Sequence, residues 1–344
     1  MSERPIIIAT RGSALALAQS NMILAQCRAA FPHLAFGLEI IKTTGDKLQK
    51  GPLADQVGGL PKGLFTKELE VALLNRSADL AVHSLKDLPT ELPVGLKLGA
   101  VSRRADVRDV LIYRAADPDL RKTFEMLGVT AGEQGRLTGA KPRGFTSGSG
   151  IVDLPAGAVV ATSSTRRKAQ LLAHNPQLKV VEIRGNVATR LEKLAEQPEL
   201  DAIILAAAGL ERLNFAIAAG GELAGAGVPD GLLAMILKPE VMLPCVGQGA
   251  LGIEVRENDD HLAEICARLD DPESNACATA ERAFLAAMGG GCQSPVGAYA
   301  EVSGDQVRMR VVSFQNDSVG FAEATGPIGK PIDLGRTLAA RLRQ

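Results

Sequence analysis

One local pattern occurs twice in this chain, and the duplication constrains the fold more than any other feature. Ile6–Ala9 is a short apolar β-type run, Thr10-Arg11-Gly12-Ser13 is a polar turn, and Leu15, Ala18, Met22 and Ala25 recur at helical spacing. Val159-Val160-Ala161, then Thr162-Ser163-Ser164, then Arg166-Arg167-Lys168 running on to Leu171-Leu172, repeats the order of strand, capping turn and helix. A second matched pair follows. Leu69–Leu74 leads to Asp79–Val82, and Leu191–Leu194 leads to Asp201–Leu205, helix before strand in both places. Strands alternating with helices bury their apolar faces as α/β layers. The sequence therefore predicts two related α/β domains, each opening with a strand that feeds a helix N-terminus.

The expected boundaries follow from that repeat. The first domain covers 1–105 together with about 244–267, where an apolar strand around Leu251-Gly252-Ile253 is placed to return to it. The second covers 106–243. The tail, 268–344, opens with a helix over Ala276–Met288 and then alternates in β fashion through Tyr299–Val302 and Val307–Val312, giving a small C-terminal α+β domain. Residues 43–63 and 132–150 are rich in glycine and polar residues and read as a lid and an insertion.

Composition removes several classes of function. Lys plus Arg total 38 against 39 Asp plus Glu, so no broadly basic nucleic-acid surface is expected and any anion site needs local clustering. Trp is absent and Tyr occurs twice, which leaves no stacking platform for single strands. No apolar run approaches the ~18 residues of a membrane span, and the N-terminus has no cleavable leader pattern. The five cysteines show no C-x-x-C spacing, which argues against a disulfide framework and a zinc ribbon. Cys27, Cys266 and Cys277 fall in helix-like segments and read as core. The expectation is a cytoplasmic protein without metal, membrane or nucleic-acid partner.

Three groups of residues can carry chemistry. Cys292 lies in Met288-Gly289-Gly290-Gly291-Cys292-Gln293-Ser294-Pro295. The glycines leave the backbone bare beside one thiol, so a presented, modified thiol and a packed structural one both remain open. Arg11, Arg166, Arg167, Arg184, Arg190 and Arg212 gather at strand-to-helix turns. One arginine alone reads as a surface ion pair. Six at recurring places beside helix N-termini favour a polyanion site. Asp87, in His83-Ser84-Leu85-Lys86-Asp87-Leu88-Pro89, follows a strand at the sheet end where α/β folds bind ligands. It either shapes the turn beside Lys86, or holds a proton or stabilises a developing cation.

Together these segments resemble the porphobilinogen deaminase (hydroxymethylbilane synthase) family. The motifs are Ala9-Thr10-Arg11-Gly12-Ser13, His83–Pro89, Thr162–Arg167, Arg184–Arg190, Val246-Gly247-Gln248-Gly249 and Gly290-Gly291-Cys292-Gln293-Ser294-Pro295, in the family's order from about residue 5 to about 302. The resemblance implies three domains, the first two like type II periplasmic binding proteins and the third a small α+β domain. It implies a transferase of tetrapyrrole (heme) biosynthesis, acting as a monomer. That enzyme condenses four porphobilinogen molecules head to tail, releasing ammonia and hydroxymethylbilane.

The resemblance also implies a dipyrromethane cofactor held by a thioether to Cys292, and Asp87 as the catalytic carboxylate. Cofactor contacts would come from Ser13, Lys86, Asp87, Ser164, Arg166, Arg167, Arg184 and Arg190. Substrate contacts would come from Arg11, Ser13, Phe65, Arg184, Arg190 and Arg212. The chain departs from the family pattern at Val57-Gly58-Gly59-Leu60-Pro61-Lys62-Gly63-Leu64-Phe65, two residues longer than expected, and around 118–150 and 216–240. Two other readings compete. A non-enzymatic anion-binding protein explains the repeat and the arginines but not the glycine-set Cys292. A cysteine hydrolase needs a histidine partner that nothing around His261 suggests.

Overall fold

The computed structural model describes residues 4–43, 66–116, 143–291, 293–316 and 318–343. Its contacts divide the chain into two units, 1–107 with 244–344, and 108–243. In chain order the strands are β1 (Ile6–Arg11), β2 (Phe36–Ile41), β3 (Leu80–Ser84), β4 (Leu96–Val101), β5 (Asp109–Arg114), β6 (Val159–Ala161) and β7 (Lys179–Val181). They continue as β8 (Ala202–Ala206), β9 (Ala216–Ile217), β10 (Leu223–Ala224), β11 (Leu232–Leu237), β12 (Leu251–Arg256), β13 (Val296–Ser303), β14 (Gln306–Ser313) and β15 (Gly320–Pro327).

The first unit holds a sheet of order β2-β1-β3-β12-β4. β1 is parallel to β2 and β3, and β12 is antiparallel to β3 and β4. The second unit holds β11-β5-β8-β6-β7. β6 is parallel to β7 and β8, and β5 is antiparallel to β8 and β11. Traced from β7, this is the order of the first sheet. In the first unit the antiparallel strand is laid down after the chain returns at 244; in the second it is the first strand laid down.

The duplication reaches individual side chains. Asp79 accepts from Ile7 N–H at 2.9 Å, and its own N–H donates to Ile7 O at 2.8 Å. Asp201 does the same to Val159, at 2.7 and 2.9 Å. Each carboxylate thus fixes where the third strand starts against the first. Arg256, at the end of β12, donates to Leu73 O and Ala78 O at 2.9 and 2.7 Å. Arg114, at the end of β5, donates to Leu194 O and Leu200 O. In both units an arginine satisfies carbonyls left over near a helix C-terminus, groups that are expensive to bury unpaired.

The Ala14–Ala30 helix buries a different stripe from the one its periodicity predicts. Met22 is exposed, while Gln19, Ser20, Ile23, Leu24 and Cys27 face inward. The reason is polar. Ser20 donates to Thr10 Oγ1 at 2.7 Å, and Gln19 is bonded to Ser84 at 2.8 Å, so two hydrophilic residues anchor the helix to the ends of β1 and β3.

The C-terminal residues of the first unit form the antiparallel sheet β13-β14-β15, against which the Pro272–Ala287 and Pro331–Leu342 helices pack. Phe284, Leu338, Val307, Met309 and Val311 are fully buried there. Each such side chain contributes about 1.5–3 kcal/mol by leaving water. Glu281 of the first of these helices is completely buried yet fully engaged. It takes both ends of the Arg104 fork at 2.7 and 3.0 Å, Gly247 N–H at 2.8 Å and Ala300 N–H at 2.8 Å. A buried carboxylate with this many donors ties the C-terminal layer to the 244–248 segment, and a lone one would be strongly destabilising.

Candidate active site

In the first unit the predicted residues gather at the C-terminal ends of two adjacent strands. Arg11 ends β1, and Ser13 caps the helix that follows, its hydroxyl accepting from Ala16 N–H at 3.3 Å. β3 pairs with β1 and runs directly into a 3-10 turn, Leu85–Asp87. Leu85 N–H donates to Ala250 O at 3.0 Å and Leu88 N–H closes the turn onto Leu85 O at 3.2 Å. The buried Leu85 side chain pins this turn. Gly247, at φ +70, lies so close that an added Cβ would sit 3.0 Å from Leu85. A glycine is required there on both counts. Lys86 is consequently half-buried and Asp87 exposed. The carboxylate is thus presented rather than enclosed, unlike the buried group a cation-stabilising role first suggests.

Beneath that turn lies a polar cluster that the sequence reading did not single out. His83 Nε2 lies 3.0 Å from Glu254 Oε2, and both side chains are buried. Glu70 stands near both, and burial, more than its neighbours, pushes its carboxyl up. Arg282, on the Pro272–Ala287 helix, donates to the carbonyls of Leu88, Pro89 and Thr90 at 3.1, 2.6 and 3.3 Å. Its burial pulls the guanidinium down to about 10, while the field of Glu254 works in the other direction. The available signal was a Glu281-Arg282 pair inside an alanine-rich helix, and a lone Glu254 inside an apolar strand.

In the second unit the helix starts appear as expected. Ser164 caps the Thr165–His174 helix, accepting from Arg167 N–H at 3.4 Å. Asn186 caps the Val187–Glu196 helix, accepting from Thr189 N–H at 2.9 Å. Arg184 precedes that cap and is exposed, with Glu182 3.4 Å away. Arg190 sits in its first turn and donates Nε–H to Gly185 O at 2.8 Å. Arg212 ends the Ala207–Arg212 helix, where burial lowers its guanidinium.

Arg166 and Arg167 are arranged differently from the expectation that both face a ligand. They are 2% and 7% exposed and converge on Asp109, at 2.8 and 2.7 Å. Arg166 also reaches Leu243 O at 2.6 Å and Arg167 reaches Ile204 O at 2.8 Å. Two guanidiniums on one carboxylate leave one positive charge at the start of a helix whose dipole is positive there too.

Phe65 and Cys292 lie outside the described residues. Of the other cysteines, burial pushes the thiols of Cys27 and Cys266 up to about 11 and that of Cys277 up to about 12. Thiolate is the reactive form, so these three are inert packing groups, as their helical settings predict. Among the described residues no cluster of His, Cys, Asp and Glu is arranged to hold a metal, and no helix is long and apolar enough to cross a membrane.

Two family models match the chain. Residues 6–264 match the one described as "Porphobilinogen deaminase, dipyromethane cofactor binding domain", and residues 275–344 match "Porphobilinogen deaminase, C-terminal domain". A porphobilinogen deaminase from Syntrophobacter fumaroxidans is 38% identical over 99% of this chain and 95% of its own length. One from Desulforudis audaxviator is 41% identical over 98% and 94%, and one from Thermus thermophilus 40% over 98% and 94%. Among solved structures, the BenM effector binding domain with benzoate aligns at 14% identity and a TM-score of 0.40, over 77% of this chain and 89% of that one. Identity near 40% across the whole length, with both domain models matched in order, settles the relationship: the chain belongs to the porphobilinogen deaminase family.

Proposed function

We propose that this enzyme condenses four porphobilinogen molecules head to tail into hydroxymethylbilane, releasing ammonia at each addition, with Asp87 as its catalytic carboxylate and Cys292 as the attachment point of its cofactor. The observation that carries the reading is the placement of Asp87. It is exposed in a pinned turn at the end of β3, one strand from Arg11 and Ser13, in a chain of this family.

The donor set fits a dipyrromethane. Such a group bears carboxylates, and Arg11, Ser13 and Lys86 bring cationic and hydroxyl donors to one sheet end, while Ser164, Arg184 and Arg190 stand at two helix starts. When bound, the cofactor supplies a tethered acceptor for the incoming pyrrole, which makes each addition intramolecular. Everything else falls to the protein. Arg11, Arg184, Arg190 and Arg212 hold the acetate and propionate groups of the substrate, and Phe65 is a further substrate-binding residue. Arg166 and Arg167 act through the charge they place under the Ser164-capped helix start, with Asp109 fixing their geometry. Asp87 accepts the pyrrole N–H and stabilises the cation that develops on the substrate as ammonia leaves.

The second unit carries cationic groups at its helix starts, and the first unit carries the reacting carboxylate. Domains of 1–105 with 244–267, 106–243 and 268–344 organise these parts, and the enzyme acts as a cytoplasmic monomer without nucleic-acid partners. Anion binding without catalysis is the competing reading. The test is ammonia release and tetrapyrrole formation by the purified protein, with intact mass before and after. Turnover with a mass increment lost in Cys292→Ser supports the enzyme; porphobilinogen binding without turnover or increment supports the competitor.

A further inference from the structure

Arg282 ties the Pro272–Ala287 helix to the backbone immediately following Asp87. Its two terminal nitrogens take three successive carbonyls, Leu88, Pro89 and Thr90, and Pro89 has no N–H with which to brace the segment. The turn itself is a short 3-10 element, with Leu88 N–H closing onto Leu85 O at 3.2 Å. Without the fork, three carbonyls beside Asp87 lose their charged donor. The same helix ends at Ala287, five residues before Cys292 in the sequence.

The second copy of the fold supplies an internal control. Aligning Asp79 with Asp201 places His83 on Leu205, and the strand registers then place Glu254 on Ile112. The same sheet is therefore built with an apolar pair where the first unit buries a histidine and a carboxylate. Buried charge at these positions is not a requirement of the fold, and a buried pair is weak evidence for stability in general. What differs in the first unit is that a guanidinium clamps the backbone after the turn, with the field of Glu254 acting against the effect of its burial. The charge that bears on Arg282 is Glu254 of β12; His83 of β3 is bonded to Glu254, and Glu70 of the Lys67–Leu74 helix feels both of those groups.

We propose that Arg282 is a positioning residue for catalysis, which fixes the orientation of Asp87 by clamping the carbonyls of Leu88, Pro89 and Thr90. The proposal rests on Asp87 being the catalytic carboxylate.

A double-mutant cycle tests it, with Arg282→Lys and Asp87→Asn alone and together, and rates expressed per cofactor-loaded molecule as counted by intact mass. Lysine keeps the charge facing Glu254 but cannot fork across three carbonyls. We expect kcat of Arg282→Lys to fall roughly 10- to 100-fold, as a displaced catalytic group does, with KM unchanged. Amide exchange at Leu88 should also become faster. In the Asp87→Asn background the lysine substitution should cost nothing further, because a residue that acts only through Asp87 has nothing left to position. Arg282→Gln serves as the second variant should lysine not fold.

Wild-type kcat in Arg282→Lys, or the same fractional loss in both backgrounds, overturns the proposal while leaving Asp87 catalytic. A wild-type rate in Asp87→Asn overturns the reading beneath it instead.

Discussion

Where the first unit carries His83 and Glu254, the second carries Leu205 and Ile112 at the same register positions, and Ala208 and Gly209 follow the end of β8 as Lys86 and Asp87 follow that of β3. Where the second carries Asp109 with its two arginines, the first carries Leu251. Between these differences the two copies agree in strand order, in the Asp79 and Asp201 carboxylates that set strand register, and in the Arg256 and Arg114 clamps on leftover carbonyls. The shared groups are what this sheet needs in order to form. The groups present in only one copy are not required by the shared strand order and are where function is to be sought. Charge has been concentrated under a turn in one unit and under a helix start in the other.

The largest expected effect concerns where the covalent chemistry lies. Every cysteine of the chain falls in the first unit, at 27, 245, 266, 277 and 292. Cys292→Ser should abolish turnover and remove the cofactor mass increment from the intact protein. A persisting increment would move the attachment to another residue of the chain and break the assignment of the acceptor to the glycine-flanked loop.

Next comes a stability effect in the second unit. Asp109 is fully buried with Arg166 and Arg167 at 2.8 and 2.7 Å. Asp109→Asn leaves two desolvated guanidiniums without their carboxylate and should cost about 3–5 kcal/mol, read as a lower urea midpoint. A loss below about 1 kcal/mol would mean that these arginines find another anion, and the contrast with Leu251 would lose its meaning.

In the first unit the corresponding effect is kinetic. Asp87 is exposed, so Asp87→Asn should leave folding intact and lower the single-turnover rate of loaded enzyme by at least ~2 kcal/mol, more than tenfold. Asp87→Glu should retain more activity, since the charge survives with displaced geometry. Should asparagine match wild type, or glutamate prove the worse of the two, the carboxylate does not act by its charge.

Arginines at the strand-to-helix turns should matter less individually. Arg11→Lys and Arg184→Lys keep the charge and lose the fork, a change of about 1–3 kcal/mol for a charge-assisted bond. Because Arg184 is exposed and Arg167 is not, Arg184→Lys should raise KM during elongation without altering stability, and Arg167→Lys should lower stability as well. Identical profiles for the two would erase the distinction between a binding arginine and a supporting one.

Much of this arrangement was legible in the sequence because it is local. The strand, turn and helix repeat, the Ser13 and Ser164 caps and the start at Asn186 are each set by a few neighbouring residues. So was the fate of Cys27, Cys266 and Cys277, which follow from apolar helical settings. What escaped depends on partners far along the chain. Arg282 meets carbonyls some 190 residues away, Glu254 meets His83 across 171, and Asp109 meets Arg167 across 58. A periodicity argument also misplaced the buried stripe of the Ala14–Ala30 helix, because Gln19 and Ser20 face inward to bond Ser84 and Thr10. Polar residues on a buried face are chosen by what waits there, and sequence spacing carries no record of it.

The smallest expected effect is the most direct test of the comparison itself. Writing the second unit's residues into the first, His83→Leu with Glu254→Ile, replaces a buried ionisable pair by the apolar pair that the same sheet already accommodates. Such exchanges are often neutral or stabilising, so the unfolding free energy should stay within about 1 kcal/mol of wild type. His83→Leu alone should be worse than the double change, because it leaves Glu254 Oε2 without its 3.0 Å partner while Oε1 already lacks a hydrogen bond. Arg282 keeps its three carbonyls in the double variant but loses the field of Glu254, so whatever stability is lost reports on that guanidinium. If the double change instead destabilises as strongly as Asp109→Asn, the pair belongs to the fold of the first unit. The two sheets would then be alike in strand order but not in what holds them together.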